Sequence, residues 1–318
     1  MIDPAASLLE QASKLFLIAH TDPDGDTVGS ALALARALRK MGKECTLACS
    51  DPIPDLLSFL PGVEEFGTHQ ITDHDLIVAV DASDPGRLGQ TYKHVLDMDL
   101  PVLNIDHHIT NTGFGTVNLV RSEAAATAEI IFDLLRAWKV DLDQLLATYL
   151  LTGMVTDTHS FSTSNTTPRA LEISSRLVAD GASLIDINEH YYKRKGVQTL
   201  RLWGQMLNRM QLDGRLVWSV NTLEMREGCN ADSDDGDGIV NLLASVREAV
   251  AAIVFRENDS NQIEISIRSR PGVDISPVAV HFGGGGHPQA AGAVVNGTLE
   301  EVVPCVLSKA REVVATSA

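Results

Sequence analysis

Acidic and imidazole side chains recur at the ends of apolar runs in the first half of the sequence. The densest group is HTDPDGDTVGS, residues 20–30, where His20, Asp24 and Asp26 share a tight turn directly after the run LFLIAH. Alternate aspartates on such a turn converge on a small volume, and a divalent cation offsets their repulsion. Asp26 is also placed to cap the helix that follows. Asp81 closes a second apolar run, in VAVDASDPGRLG. In NIDHHITNTGFG, Asp106 precedes the adjacent His107 and His108. One imidazole suits a metal ligand and its neighbour a catalytic group, with Asp106 orienting a histidine. Asp157, in LLTGMVTDTHSF, follows an apolar helix whose dipole mildly disfavours a carboxylate there. Asp81 or Asp157 alone reads as readily as a surface-loop residue. The four segments together point to a metal centre. Mixed carboxylates and imidazoles suit Mn²⁺, Mg²⁺ usually takes fewer histidines, and Zn²⁺ fits on ligand type alone.

The elements that must carry these residues alternate. LFLIAH (15–20), ECTLAC, DLIVAVDAS and PVLNIDHH predict buried strands, and DTVGSALALARALRKMG has helical spacing with a glycine stop. Further helices are expected at 123–138, 141–155 and 167–180. Such alternation predicts an α/β fold with a parallel sheet flanked by helices. Ligands of such sheets bind at the carboxyl ends of the strands, where His20, Asp81 and Asp106 fall. Three segments follow from this reading: a catalytic domain over 1–188, a helical linker over 189–211, and a smaller α/β domain over 212–318. In the last, strands are expected at 215–220, 250–256 and 262–268, a glycine-rich turn FGGGGH at 282–287, and a final helix near 298–313. DSDDGDG at 232–238 starts like a calcium-binding loop, but Gly236 and Leu243 stand where ligands are needed. It reads instead as a polar loop with Asp237 near a helix start.

Composition sets limits. The 318 residues carry a formal net charge of −17, so long nucleic acid has no general basic surface to bind. The four cysteines form no CxxC pair, which fits reduced thiols and, with no signal-peptide pattern or spanning apolar run, predicts a cytoplasmic protein.

These motifs resemble those of the DHH phosphoesterase family, named for the triplet that is Asp106-His107-His108 here. HTDPDGDTVGS, VDASDPGRLG, NIDHH and GMVTDTHSF are similar to its four motifs. SIRSR followed by FGGGGHPQAAGA resembles the DHH-associated domain, DHHA1. The arrangement is most similar to the small NrnA-type oligoribonucleases, or nano-RNases, which also dephosphorylate adenosine 3',5'-bisphosphate (pAp). The resemblance implies two Mn²⁺ ions, with Mg²⁺ or Co²⁺ as substitutes, and an active site between the domains. His20, Asp24 and Asp81 would hold one ion, and Asp26, Asp81, His107 and Asp157 the other, with Asp81 bridging. His108 would touch the scissile phosphate. Arg268, Ser269 and His287 would grip the substrate, close to the backbone of Gly284, Gly285 and Gly286. The implied substrates are short RNA, pAp or dinucleotides, without long duplexes or membranes, and a homodimer fits the family.

Other functions stay open on the sequence. A soluble cyclic dinucleotide phosphodiesterase, cyclic di-AMP being one substrate, has the same motifs. Pyrophosphate or polyphosphate hydrolysis fits less well, because related enzymes usually lack a GGGGH turn. A single-strand DNA exonuclease needs an additional domain for which the chain is too short. A catalytically silent nucleotide-binding protein would have lost metal ligands, and every candidate ligand is present.

Overall fold

The computed structural model describes residues 2–258 and 260–316, and the chain divides into two compact units, 1–194 and 195–318. The first unit holds strands β1 (Lys14–Ala19), β2 (Glu44–Ala48), β3 (Leu76–Val80), β4 (Val102–Asp106) and β5 (Val117–Val120). They form one parallel sheet in the order β2-β1-β3-β4-β5. Its helices are α1 (Ile2–Gln11), α2 (Gly25–Lys40), α3 (Gly89–Tyr92), α4 (Thr127–Ala137), α5 (Gln144–Asp157), α6 (Pro168–Ala179) and α7 (Leu184–Asn188), with a π-helical turn at Glu189–Lys193.

The strand sequences are nearly all apolar because the sheet is covered on both faces. Leu15, Leu17, Val78, Val80, Leu103 and Ile105 face one core, which α1, α2, α4, α5 and α6 complete. Their neighbours Phe16, Ile18, Ile77, Ala79 and Val102 face the other, under Leu88, Tyr92 and Val95. Each such side chain contributes about 1.5–3 kcal/mol on burial, so strand register is strongly fixed. The expected strands and the three helices beyond residue 123 are all present, as is α2. The α2 cap differs from expectation. Asp24, not Asp26, is the N-cap, its Oδ1 accepting from the Asp26 and Thr27 amides at 2.9 and 3.0 Å. The helix ends before Gly42, whose φ of +83° suits a residue without a Cβ.

The second unit holds β6 (Gln211–Asp213), β7 (Leu216–Asn221), β8 (Ala251–Asn258), β9 (Gln262–Ser269), β10 (Gly285–His287) and β11 (Ala290–Asn296). Their order is β10-β11-β9-β8-β7-β6, antiparallel except for β7 against β8. Its helices are α8 (Val197–Asn208), α9 (Leu223–Cys229), α10 (Ile239–Leu243), α11 (Ser276–His281) and α12 (Leu299–Thr316). Ile253, Phe255, Ile265 and Ile267 pack toward α11 and α12, whereas Val217, Ala252 and Val254 pack toward α8, α9 and α10. The segment expected to be a glycine-rich turn is a turn only in its first part. Gly285–His287 continues as a strand against β11. No helix among the described residues is long and apolar enough to cross a membrane.

Candidate metal centre

The first unit gathers the acidic and imidazole residues at the carboxyl end of its sheet. His20 follows β1, Asp81 follows β3, and Asp106 is the last residue of β4, with His107 and His108 just beyond. Asp24 and Asp26 come from the start of α2, and Asp157 from the last turn of α5. Three sets of ligand atoms result, each set within 4.8 Å of one another: His20, Asp24 and Asp81; Asp26, His107 and Asp157; and Asp81, His107 and His108.

Asp81 lies between the first two sets. Its Oδ2 is 3.5 Å from His20 Nε2, and its Oδ1 is 3.7 Å from His107 Nε2. His20 Nε2 is 3.8 Å from Asp24 Oδ1, and His107 Nε2 is 2.9 Å from Asp157 Oδ2 and 4.0 Å from Asp26 Oδ2. Asp81 has φ of +61°, a left-handed conformation that costs most side chains about 1–2 kcal/mol and that Asp tolerates best after Gly and Asn. Its amide still donates to the Ile105 carbonyl at 2.8 Å, which keeps the residue tied to β4.

The surrounding groups fix orientation. The Asp26 oxygens accept from the Thr127 and Ala128 amides at 2.6 and 2.9 Å, at the start of α4, where the helix dipole favours negative charge. Thr127 Oγ1 donates to Asp81 Oδ1 at 2.8 Å. His20 Nδ1 is 2.7 Å from the Thr21 carbonyl, and His107 Nδ1 is 3.2 Å from the Ala124 carbonyl. A carbonyl only accepts, so the His107 ring carries its proton on Nδ1 when neutral and turns the Nε2 lone pair toward the carboxylates, whereas His20 Nδ1 faces both a carbonyl acceptor and the Arg87 donor. His108 is oriented differently, with Nδ1 2.7 Å from Asp106 Oδ1, while Asn111 Nδ2 donates to Asp106 Oδ2 at 2.6 Å. Asp106 therefore orients His108.

The electrostatics are those of carboxylates packed without enough positive charge. His20, Asp26, Asp81 and Asp106 are buried. Burial pushes Asp26 well above the usual carboxylate range, and the charges of Asp81 and Asp157 add to it. Burial also raises Asp157, with partial relief from His107. For Asp81, burial is outweighed by the His20 hydrogen bond and the imidazolium charges of His107, His20 and His108, and the group sits well below its ordinary value. The imidazoles respond in kind. Burial opposes the His107 charge, yet Asp157, Asp81 and Asp26 hold it well above its usual value. Burial likewise opposes His20, and Asp81 and Asp24 carry it upward. Two Nε2 atoms and the oxygens of four aspartates suit divalent ions that accept mixed nitrogen and oxygen ligands.

Sequence reasoning missed Thr127, Asn111 and Arg87. The Arg87 guanidinium Nη2 lies 3.0 Å from His20 Nδ1, at the edge of the acidic cluster. Its only signal is its place in the turn after Asp81.

In the second unit, Arg268 and Ser269 end β9, and β11 lies between them and β10. Arg268 pairs in register with Ala290, which pairs with His287. The His287 side chain lies outside the described part of the structure. Ser269 donates its amide to Gln289 and its hydroxyl to the Val273 carbonyl at 2.6 Å, so it braces the end of the sheet. Gly286 has φ of +138°, and a Cβ there would strike Ala290 and Ala291. Strand contact alone therefore requires a glycine at that position. Gly284 is similarly crowded by Gly292 and Ala293, and Gly285 is open.

Two family models match this chain. One, described as the DHH family, N-terminal domain, covers residues 14–154, and the other, the DHHA1 domain, covers 219–316. The chain belongs to the DHH family. A bifunctional oligoribonuclease and PAP phosphatase, NrnA, of Thermus thermophilus is 35% identical over 94% of this chain and 89% of its own length. The cyclic-di-AMP phosphodiesterase PdeA of Listeria monocytogenes is 26% identical over 88% of this chain but only 44% of its own. Among solved structures, an exopolyphosphatase-related protein from Bacteroides fragilis has a TM-score of 0.92 at 27% identity, covering 98% of this chain and 95% of that one.

Proposed function

We propose that this chain is a phosphoesterase that uses two Mn²⁺ ions to hydrolyse short oligoribonucleotides to mononucleotides and pAp to AMP. The observation that carries the reading is the division of Asp81 between two ligand sets, one oxygen toward His20 and the other toward His107. That is the arrangement a bridging carboxylate needs. The NrnA-named relative, matched over nearly its whole length, supports the substrate class.

In this reading His20, Asp24 and Asp81 hold one cation, and Asp26, Asp81, His107 and Asp157 hold the other. When bound, such a pair lowers the pKa of a water and neutralises phosphoryl charge. The chain's own groups do the rest. Asp106 holds the His108 ring so that it contacts the scissile phosphate and stabilises its growing negative charge. Arg268, a forked donor suited to phosphate, grips the substrate with His287 and the backbone of Gly284–Gly286, while Ser269 braces the strand. Free cysteines fit a reducing compartment, and the reading therefore includes a cytoplasmic location.

The test is a product-resolved assay with Mn²⁺ on a ribodinucleotide, pAp and cyclic di-AMP. Cleavage of the first two, and at least a ~100-fold loss in Asp81→Ala, is expected, the scale on which metal-site partners act. Near-wild-type turnover in that variant refutes the two-cation assignment. A preference for cyclic di-AMP would favour the second reading, a cyclic dinucleotide phosphodiesterase, which the PdeA match motivates.

A further inference from the structure

We infer that Asn241 is a positioning residue for substrate binding: its side-chain oxygen sets the tilt of the Arg268 guanidinium and leaves the cation's charge for a substrate phosphate. The inference rests on the reading of Arg268 given above.

Asn241 lies on α10, and its Oδ1 accepts from Arg268 Nε at 3.1 Å. Arg268 Nη1 donates to the Ile267 carbonyl at 2.9 Å. A guanidinium is planar, so two bonds at different nitrogens fix both its position and its plane. Its remaining N–H groups then point in a set direction.

Arg268 keeps different company from Arg256 and Arg311, and resembles Arg270, which likewise donates to carbonyl oxygens, those of Val246 and Arg247. Arg256 is paired with Glu264 and Asp237, and Arg311 with Asp213. Arg268 has no carboxylate at ion-pair distance among the described residues, although burial works against its charge and only Asp237 acts in its favour. A half-buried cation held by two neutral oxygens is poorly compensated, and an arriving phosphate supplies what is missing. The choice of asparagine follows. An aspartate in its place would hold the guanidinium equally well but would form the ion pair itself and compete with the phosphate. A leucine of similar size would leave the guanidinium free to swing.

Steady-state kinetics on pAp with saturating Mn²⁺ tests this with Arg268→Met, Asn241→Leu, their combination, and Asn241→Asp. Asn241 is exposed, so the fold should survive, and Asn241→Ala serves as a second truncation. Arg268→Met and Asn241→Leu should each raise KM about 10-fold or more, with kcat within about 2-fold, the scale of one hydrogen bond to a charged group. The double variant should match Arg268→Met alone, because Asn241 acts only through Arg268. Asn241→Asp should also raise KM, which a purely mechanical brace would not do. Additive effects in the double variant, or wild-type KM in Asn241→Leu or Asn241→Asp beside a weakened Arg268→Met, overturn the inference alone. Wild-type KM in Arg268→Met overturns the reading of Arg268 and this inference with it.

Discussion

At the residue scale the centre is a titration problem. His107 is held above its ordinary pKa despite burial, by Asp157, Asp81 and Asp26, so its charge stabilises the fold fully below the unfolded value near 6.5. That contribution is lost as pH rises through the folded pKa. Asp26 and Asp157 are also raised, first by burial, and an acid with a raised folded pKa likewise loses stability as pH rises. Asp81, held low once the histidines outweigh burial, works in the opposite direction but only in acid. Protein stripped with a chelator should therefore melt at a lower temperature at pH 8.5 than at pH 6. Mn²⁺ should raise the melting temperature more at the higher pH, since binding displaces those protons. A chelated melting temperature that rises across this range would contradict the account. The acidic and imidazole cluster was legible in the sequence because its members stand at the termini of apolar strands or helices, where polar residues are conspicuous. Their supports were not. Thr127 reaches Asp81 across 46 residues, and nothing local to SEAAATAE marks it. Asp24 and Asp26 are two residues apart on one turn, and only the backbone geometry decides which one caps α2.

At the element scale the centre depends on how closely α2 lies against α5, since these helices carry Asp26 and Asp157. The approach runs through glycine. A Cβ on Gly29 would overlap the Tyr149 carbonyl, and one on Gly153 would overlap Asp26 Oδ1 and the Ala128 Cβ. Gly153→Ala should therefore push a ligand-bearing helix away, destabilise the fold by about 1–3 kcal/mol as overpacking does, and weaken Mn²⁺ binding. Denaturant melts and calorimetric metal titration read both effects, and an unchanged metal affinity would separate the helix contact from the site. Gly204 is the contrast. It lies exposed in α8 with open space where a methyl would go, so Gly204→Ala should stabilise by about 0.4–1 kcal/mol and leave metal binding alone. The same scale explains what sequence reading recovered. β1, β3 and β4 are buried on both faces and read as continuous apolar runs. β5 is a short edge strand. β10 is Gly-Gly-His, and β11 begins Ala-Ala-Gly-Ala before its two valines, so neither carries a sustained run of the branched residues that signal a strand. The short helices α9, α10 and α11 hold too few turns to show a period.

At the scale of the whole molecule, 42 acidic residues against 25 basic ones leave an excess of negative charge far beyond what the metal centre uses. Such a surface repels every phosphate of an approaching RNA, and the repulsion grows with the number of phosphates. On the proposed function, a dinucleotide or pAp brings few charges and meets little of this repulsion. A long strand keeps most of its phosphates against the acidic exterior. On the proposed function, a preference for short substrates then needs no dedicated gate. It follows from association rates, which fields of this kind alter by about 10-fold to 1,000-fold. The expected result is a kcat/KM at least ~10-fold lower on a long single strand than on a trinucleotide in dilute buffer. Salt is the discriminating variable. Ordinary protein–RNA contacts through basic surfaces weaken as salt rises, whereas repulsion is screened once the Debye length falls to about 10 Å near 0.1 M. The gap between long and short substrates should therefore narrow as salt increases. If it stays constant across that range, substrate length is being read by shape instead of charge.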